Sequence, residues 1–302
     1  MDTMFHVDEL LAQSLARQPA NSAAIRPFMP EQHREFFAAL PYLFIAAADN
    51  RGWPVASVLA AAPGFVQSPD STTLSIAARP STDDPAAAGI AVGSQVGLLG
   101  LVLTNRRRNR ANGRLIAADE RGFTVAVTQS FGNCPQYIQT RRPEARDATP
   151  AAAERLVALD EDARRLISGA DTFFVASRSR SDAPTGGLDM SHRGGRPGFV
   201  DLRDDTLVIP DFRGNRYFNT LGNLLGDPRA GLLFIDFASG DVLQLQGLVT
   251  IDWTTDASLE GAQRTWRLRL ESVVRRRDAF PFAWTFGDYA PTTLATGTWF
   301  RP

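Results

Sequence analysis

The sequence contains no lysine, since all 32 of its basic residues are arginine. This excludes a Schiff base with pyridoxal phosphate and the lysine-dependent P-loop. The single cysteine, Cys134, excludes an intramolecular disulfide and a cysteine-rich zinc site. The three histidines, His6, His33 and His192, are too scattered to predict a histidine-based metal site, so we expect no metal.

Long apolar runs and a basic excess are also missing. No run of about 18 apolar residues is present, so we expect no membrane-spanning helix. The start, MDTMFHVDELLAQSLARQ, lacks the basic residues and apolar core of a signal peptide. The net charge of -1 argues against a dedicated nucleic-acid-binding protein. We therefore expect a cytoplasmic protein that binds neither membranes nor nucleic acid.

What is present is an ordinary globular composition that repeats along the chain. Hydrophobic residues make up 44% and charged residues 22% of 302 positions, which suits two domains of about 150 residues. APGFV at 62–66 matches RPGFV at 196–200, and VGLLGL at 96–101 matches AGLLFI at 230–235, both at an offset of 134. Several such matches in one order predict two tandem copies of a domain.

Each copy is expected to be mainly β with flanking helices. Short apolar runs and the alternation of LQLQGLVTI predict many strands in a barrel or sandwich. Helices are predicted over 29–40 and over 149–169, the second with Thr149 as its N-cap and Gly169 at its end. The polar stretch at 142–149 predicts a linker, so the first copy with its N-terminal helices spans 1–148 and the second spans 149–302.

Two segments of the second copy have the composition of an anion site. SHRGGRPGFV places His192 and Arg193 beside a Gly-Gly turn, and GNRYFNTLGNLL is predicted to be a loop that leads into a short helix. Free backbone N–H groups at that helix start, together with Arg216, would bind a phosphate. The asparagines spaced four apart there are equally explained as caps and turn residues: Asn215, Asn219 and Asn223.

The polar residues are divided unequally between the copies. The first copy lacks the SHRGG and GNR segments, whereas it alone has TQSFGNCPQYIQTR at 128–141. A single composite site built from both copies explains this asymmetry, and independent drift of the copies explains it too.

These residues resemble a known family. SHRGGRPGFV, TLVIPDFRGNRYFNTLGNLLGDPRAGLLFIDF and LQLQGLVTI occur in the order seen in the FMN-binding split barrels of the pyridoxamine 5′-phosphate oxidase superfamily, and GNCPQYIQ resembles another segment common there. The resemblance covers nearly all of the second copy and, more weakly, the first. It implies two tandem six-stranded antiparallel split barrels with FMN held between them. The oxidase's substrate motif of Tyr, Arg and Ser is absent, which argues against oxidation of pyridoxamine phosphate.

The resemblance also implies which residues bind the flavin. The SHRGG strand would line it, with Gly194 in that strand and His192 as the one candidate catalytic acid. Pro210 and Asp211 match a strand end beside the ring. The phosphate would be held by Arg193, Asn215, Arg216 and Asn219.

From the first copy, five residues are candidate flavin ligands. Gln129, Ser130 and Asn133 could donate hydrogen bonds to it, or they cap a strand end. Tyr137 would stack on the ring or pack in the core. Cys134, in a segment predicted to begin a helix, would be reactive there or simply buried.

An arginine-rich stretch, TNRRRNRANG at 104–113, carries Arg106, Arg108 and Arg110 on one face of a predicted strand. This face would be solvated, form an interface, or contact an anionic substrate. The second copy has no equivalent.

The sequence thus predicts an FMN-dependent oxidoreductase that acts on an unidentified small molecule, with a nicotinamide as a candidate electron donor. The alternatives are a non-catalytic carrier of flavin, or a protein that binds haem or a deazaflavin. Family members pair through their barrels, which predicts a homodimer unless the duplication has replaced that pairing.

Overall fold

The structure is a computed structural model that describes residues 5–20, 24–180, 185–254 and 259–299. The chain is mainly β with few helices, as predicted. No helix in these ranges is long and apolar enough to cross a membrane. The helices are α1 Val7–Leu15, α2 Glu31–Ala38, α3 Glu161–Gly169, α4 Asn219–Gly226 and α5 Pro291–Leu294, with a 3-10 helix over Pro85–Gly89.

The strands fall into two successive sets and a connecting ribbon. The first set is β1 Tyr42–Ala48, β2 Pro54–Ala60, β3 Val66–Asp70, β4 Thr73–Ile76, β5 Gln95–Val102, β6 Arg107–Ala118 and β7 Phe123–Gly132. Between the sets lie β8 Arg141–Ala145 and β9 Glu154–Leu156. The second set is β10 Thr172–Arg178, β11 Leu188–Gly194, β12 Asp201–Arg203, β13 Thr206–Phe212, β14 Arg229–Ile235, β15 Val242–Asp252 and β16 Ala262–Arg276, followed by β17 Phe282–Phe286.

Each set forms one antiparallel sheet, and the two sheets have the same strand order. The first sheet runs β2-β1-β5-β6-β7-β4-β3, and the second runs β11-β10-β14-β15-β16-β13-β12, with β9 beside β16. The sheets therefore have seven and eight strands where the resemblance implied six, and within the described residues neither closes on itself. A two-stranded ribbon of β8 and β17 ties the linker region to the C-terminal segment.

The repeated glycines of the sequence serve the same purpose in each half. Gly64 and Gly198 both adopt positive φ, 93° and 86°, in the PGF turn. Gly97 on β5 lies against the backbone of Leu188, where an added Cβ would be 2.6 Å from the carbonyl oxygen. Gly231 on β14 lies reciprocally against Pro54, at 2.5 Å. The two sheets thus approach each other closely through matching positions.

The sheets share a hydrophobic core between them in addition to the core of each half. Phe44 of β1 stacks on Phe174 of β10 with ring centroids 3.7 Å apart. Tyr42 packs edge-on against Phe280 and Phe282 from the C-terminal segment. Burial of these rings removes a large apolar area from water, so the halves are held as one body by the hydrophobic effect.

Two local predictions about helices are wrong. Helix α3 begins at Glu161 with Asp160 as its N-cap, whereas the backbone N–H of Thr149 donates to Asp278. The residues in between include β9, which pairs with β16. Residues 133–140 form no helix, so Cys134 lies in an extended and turning segment after β7. Gly169 does end α3 as predicted.

Candidate functional site

A cleft between the two halves contains most of the residues predicted for the site. The cleft has a volume of about 80 Å³. One wall is formed by β6 and the segment after β7, and the other by β11, β13 and the loop that follows. The predicted residues that line it are Asn133, Cys134, Tyr137, His192, Arg193, Gly194, Pro210 and Asn215.

His192 is buried on β11 and hydrogen-bonded across the cleft. Its Nδ1 lies 3.2 Å from Nη1 of Arg108. A guanidinium can only donate, so Nδ1 accepts and the neutral ring carries its proton on Nε2. Burial, followed by the charges of Arg108 and Arg193, lowers the pKa of His192 well below its usual value. At neutral pH the ring is therefore neutral and its Nε2–H is a hydrogen-bond donor. The neutral state argues against the predicted role of His192 as a catalytic acid.

Two arginines of the arginine-rich stretch line the cleft, and sequence reasoning did not assign them to the site. Arg108 and Arg110 alternate along β6 and both face the second sheet. Arg110 donates to the Ser191 hydroxyl at 2.7 Å and lies 3.7 Å from the Asp189 carboxylate. Arg108 has no carboxylate partner among the described residues, and burial lowers its pKa. The period-two spacing was the available signal, but exposed strands show it as well.

The neighbouring arginines point elsewhere. Arg106 adopts positive φ in the turn before β6 and donates to the backbone oxygen of Ile138. Arg107 stacks over the ring of Phe36 on α2, 4.8 Å from its centroid. Of the three arginines predicted to share a face, only Arg108 and Arg110 do so. That face contacts the second half of the chain.

Asp211 links two arginines at the end of β13. Its carboxylate lies 3.4 Å from Arg193 and accepts a hydrogen bond of 2.9 Å from the buried Arg264. Arg264 also lies over the ring of Phe218. Asp211 thus offsets part of the positive charge and orients both guanidinium groups. Arg264 belongs to no sequence motif, so only the fold reveals its place in the site.

A second cavity, of about 70 Å³, lies at the start of α4 and shares Arg110 and Arg193 with the cleft. The short helix predicted here is present. Arg216 lines this cavity, is exposed, and makes no hydrogen bond or ion pair with another described residue. Asn219 is buried, and its amide donates to the Glu9 carboxylate of α1. Arg264 lines this cavity as well, and a helix start beside four arginines is a favourable place for an anion.

An open groove of about 560 Å³ adjoins the cleft and shares Cys134 and Tyr137 with it. The Tyr137 ring stacks on Phe212, with centroids 5.4 Å apart, and its hydroxyl donates to the backbone oxygen of Arg213 at 3.0 Å. Cys134 is partly exposed. Tyr137 therefore joins the two halves at the floor of the site.

Gln129 and Ser130 lie on β7 outside the cleft lining. The Gln129 amide donates to the backbone oxygen of Thr185 at 3.0 Å. The Ser130 hydroxyl lies 2.9 Å from Nδ1 of His33. The Gln129 side chain therefore contacts the second half of the chain, whereas the Ser130 side chain contacts another residue of the first half.

The location related to the cleft by the repeat has valine at two of the cleft's polar positions. Strand register places Val58 where the second half has His192. It likewise places Val242 where the first half has Arg108. Both valines belong to the core between the sheets, together with Tyr42, Phe280 and Phe282. His192 and Arg108 therefore have no polar counterparts there. Gln244 and Ser57, at the positions of Arg110 and Ser191, are buried and both bond to Asp84.

Buried polar atoms around the cleft lack partners in the described structure. They are the Nε atoms of Arg108, Arg110 and Arg193, Nε2 of His192, and Oδ1 of Asn133. Folded proteins leave few such atoms unsatisfied. All but the last are donors, so the arrangement fits an acceptor-rich anionic ligand. Ligand sites usually measure about 300–1,000 Å³, so a flavin would need the adjoining groove as well.

Among the described residues, no group of three or more His, Cys, Asp or Glu is arranged to hold a metal ion. The chain also matches no protein-family model and no curated protein.

Several solved structures show a partial similarity to this chain. HupZ from Group A Streptococcus is 13% identical, with a TM-score of 0.31, over 38% of this chain and 91% of its own. An FAD-binding protein from Mesorhizobium loti is 12% identical, with a TM-score of 0.29, over 42% of this chain and 99% of its own. HutZ, the haem storage protein of Vibrio cholerae, is 13% identical, with a TM-score of 0.26, over 43% and 98%.

Proposed function

We propose that this protein binds FMN in the cleft between its two halves and acts as a flavin-dependent oxidoreductase on a small molecule. The observation that carries the proposal is the set of unpartnered buried donors there, with Arg108 left without a carboxylate. Burying a cation without a partner is costly, and an anionic ligand offsets that cost.

The residues divide between the two ends of the cofactor. Arg193, Arg216 and the start of α4 would hold the phosphate, and Asn215 lines the same cavity. Nε2–H of His192 and the guanidinium of Arg108 would donate to acceptor atoms of the ring system. FMN would supply the redox chemistry, while these residues bind and orient it. A nicotinamide is the electron donor we would test first.

The proposed architecture is two tandem split barrels, with domains at 1–148 and 149–302. The shared strand order and the matching glycines Gly97 and Gly231 support it. The core between the sheets corresponds to the barrel-to-barrel contact of a dimer, brought into one chain.

A non-catalytic flavin carrier is the second candidate. The depressed pKa of His192 means that the protonated ring, which a catalytic acid requires, is scarcely populated at neutral pH. Binding of haem through His192 is less favoured. A metal-ligating imidazole normally donates its other ring N–H to an acceptor, whereas Nδ1 here accepts from Arg108.

FMN titration, followed by flavin fluorescence, tests the binding. We expect Arg108→Met and Arg193→Met each to weaken affinity roughly ten- to a hundredfold, because each removes a charged hydrogen-bond donor. Arg107→Met, which changes a guanidinium outside the cleft, should bind like the wild type. Failure of the wild-type protein to bind FMN would overturn the proposal, and NAD(P)H turnover by the loaded protein would separate enzyme from carrier.

A further inference from the structure

Helix α1 is turned with its acidic side inward, against α4. Asp8, Glu9 and Gln13 are almost completely buried. The large apolar side chains are instead between 41% and 61% exposed: Val7, Leu10, Leu11 and Leu15. An amphipathic surface helix normally does the opposite. Burying an acidic side chain is costly unless it is partnered, so the contacts of these acids explain the orientation of the helix.

Glu9 reaches the cavity of about 70 Å³ at the start of α4, here called the anion cavity, through one intervening side chain. Its carboxyl accepts a hydrogen bond from the side-chain amide of Asn219, the first residue of α4, and Asn219 lines the anion cavity. The amide oxygen of Asn219 lies 3.5 Å from Nη1 of Arg110, which lines the cavity too. An amide has one donating and one accepting side, so the Glu9 carboxyl determines that the accepting side faces Arg110.

Further contacts hold the segment around α1 against this site. Nε2 of His6 lies 2.8 Å from the amide oxygen of Asn223, one turn further along α4. The backbone of Glu9 lies against Gly222, where an added Cβ would be 2.7 Å from the Cα of Glu9. Beyond the helix, Gln18 lines the anion cavity itself. Residues 6–18 therefore belong to the site, although no sequence pattern assigned them to it.

The cations near Glu9 are already paired with other carboxylates. The titratable groups around it are Asp189 on β11, Arg110 on β6, and His6, Asp8 and Arg180 at α1. Arg110 lies 3.7 Å from Asp189. Arg180 pairs with Asp8 at 2.6 Å. Burial, followed by the charge of Asp189, raises the pKa of Glu9 to about 8, and burial lowers the pKa of His6. Both side chains are therefore mainly neutral at pH 7.

We propose that Glu9 is a positioning residue of the phosphate site, and that a negative charge on Glu9 releases the bound phosphate. This inference rests on the proposed function, because it concerns the anion that the cavity would hold. The neutral carboxyl orients Asn219 and leaves Arg110 available to the ligand. An ionised Glu9 would compete with the phosphate for Arg110 and repel it in a buried region, where charges are poorly screened. Anion binding and protonation of Glu9 therefore favour each other.

This linkage predicts a pH profile that a merely structural role of Glu9 would not produce. FMN binding is followed by flavin fluorescence, and binding of methyl phosphate by phosphorus NMR, between pH 7 and pH 9. A phosphate monoester, with a second pKa of about 6, remains a dianion over this range. We expect wild-type affinity for both ligands to fall by up to about tenfold from Glu9 alone, since one proton accompanies the anion.

Glu9→Gln keeps the shape and the accepting oxygen of the side chain but cannot ionise. We expect it to bind like the wild type at pH 7 and up to about tenfold more tightly than the wild type at pH 9. The difference between the two profiles isolates Glu9, because other titrating groups are common to both proteins. Arg108, whose pKa is lowered by burial, is one of these groups.

Asp8→Asn is the matched control. It neutralises the neighbouring buried carboxyl of α1, which pairs with Arg180 and not with Asn219, so it should keep the wild-type profile. Calorimetry of wild-type binding at pH 8, in buffers of different ionisation enthalpy, supplies a test that needs no variant. We expect the protein to take up part of a proton when the anion binds.

The possible outcomes separate this inference from the proposed function. Parallel pH profiles of wild type and Glu9→Gln would overturn the inference, whether or not the variant binds more weakly, as would zero proton uptake by the wild type. Methyl phosphate binding with the expected profile, but without FMN binding, would overturn the FMN proposal and leave the role of Glu9 standing. A wild type that binds neither ligand at pH 7 would overturn both.

Discussion

Arg108 and His192 are joined across the two halves of the chain by a hydrogen bond of 3.2 Å from Nη1 to Nδ1. The bond fixes the histidine tautomer, because arginine has no acceptor to offer. It also keeps a cation beside a ring that burial already holds neutral. An anion in the cleft would accept from both side chains at once.

Nitrogen NMR can test this tautomer directly, since the chain has only three histidines. We expect the His192 ring to be neutral at pH 7 with its proton on Nε2. Arg108→Met removes the nearest cation, so the pKa of His192 should rise while burial keeps it below its usual value. Arg107→Met should leave it unchanged. A proton on Nδ1 in the wild type would contradict the geometry.

Gly194→Ala should destabilise the contact between the halves. An added Cβ would lie 2.0 Å from the backbone oxygen of Tyr137, so that segment must move. We expect a loss of about 1–3 kcal/mol in the free energy of unfolding by urea, the usual cost of overpacking. Gly169→Ala, where no atom lies within 4 Å, serves as the control. Equal stability of the two variants would show that the Tyr137 segment is not fixed there.

FMN should bind with a stoichiometry of one per chain. At the location related to the cleft by the repeat, Val58 and Val242 replace His192 and Arg108, so the donors proposed to hold the flavin ring are missing there. Flavin absorbance against protein concentration after desalting measures the ratio. Two flavins per chain would contradict a single flavin site in the cleft.

Glu9 should make stability fall as pH rises. Burial, with the nearby Asp189 charge, raises the pKa of Glu9 to about 8. Between its ordinary value of 4.5 and 8, the folded protein holds a proton that the unfolded chain releases, so stability present at low pH is lost as pH rises. Urea unfolding should show a contribution of up to about 1.4 kcal/mol per pH unit.

Glu9→Gln should remove this dependence, and the difference between variant and wild type isolates it. That comparison is needed because burial lowers the pKa of His6 and His33. Below about pH 6.5 the unfolded chain binds more protons at these histidines than the folded protein does, so they make stability rise with pH. Identical pH profiles of the two proteins would mean that Glu9 ionises normally.

Local sequence patterns predicted the secondary structure where no contact with a residue distant in the chain opposed them. The start of α4 was predicted from GNRYFNTLGNLL, and the sequence match of APGFV with RPGFV corresponds to matching turns at Gly64 and Gly198. Thr149 failed as a cap because the residues after it include β9, which pairs with the edge of β16. The helix begins only after β9, with Asp160 as its N-cap.

The sequence by itself determined a mainly β chain and its internal repeat, because composition and periodicity record which residues prefer water. Most of the polar residues that meet in the cleft were indicated by the resemblance to a known family. Only the tertiary structure decided that Arg108 and Arg110 face His192, that Arg264 pairs with Asp211, and that α1 turns its leucines outward. Each of these depends on contacts between residues far apart in the chain. Strand alternation fixes which residues share a face, but the packing of one sheet on the other fixes what that face meets.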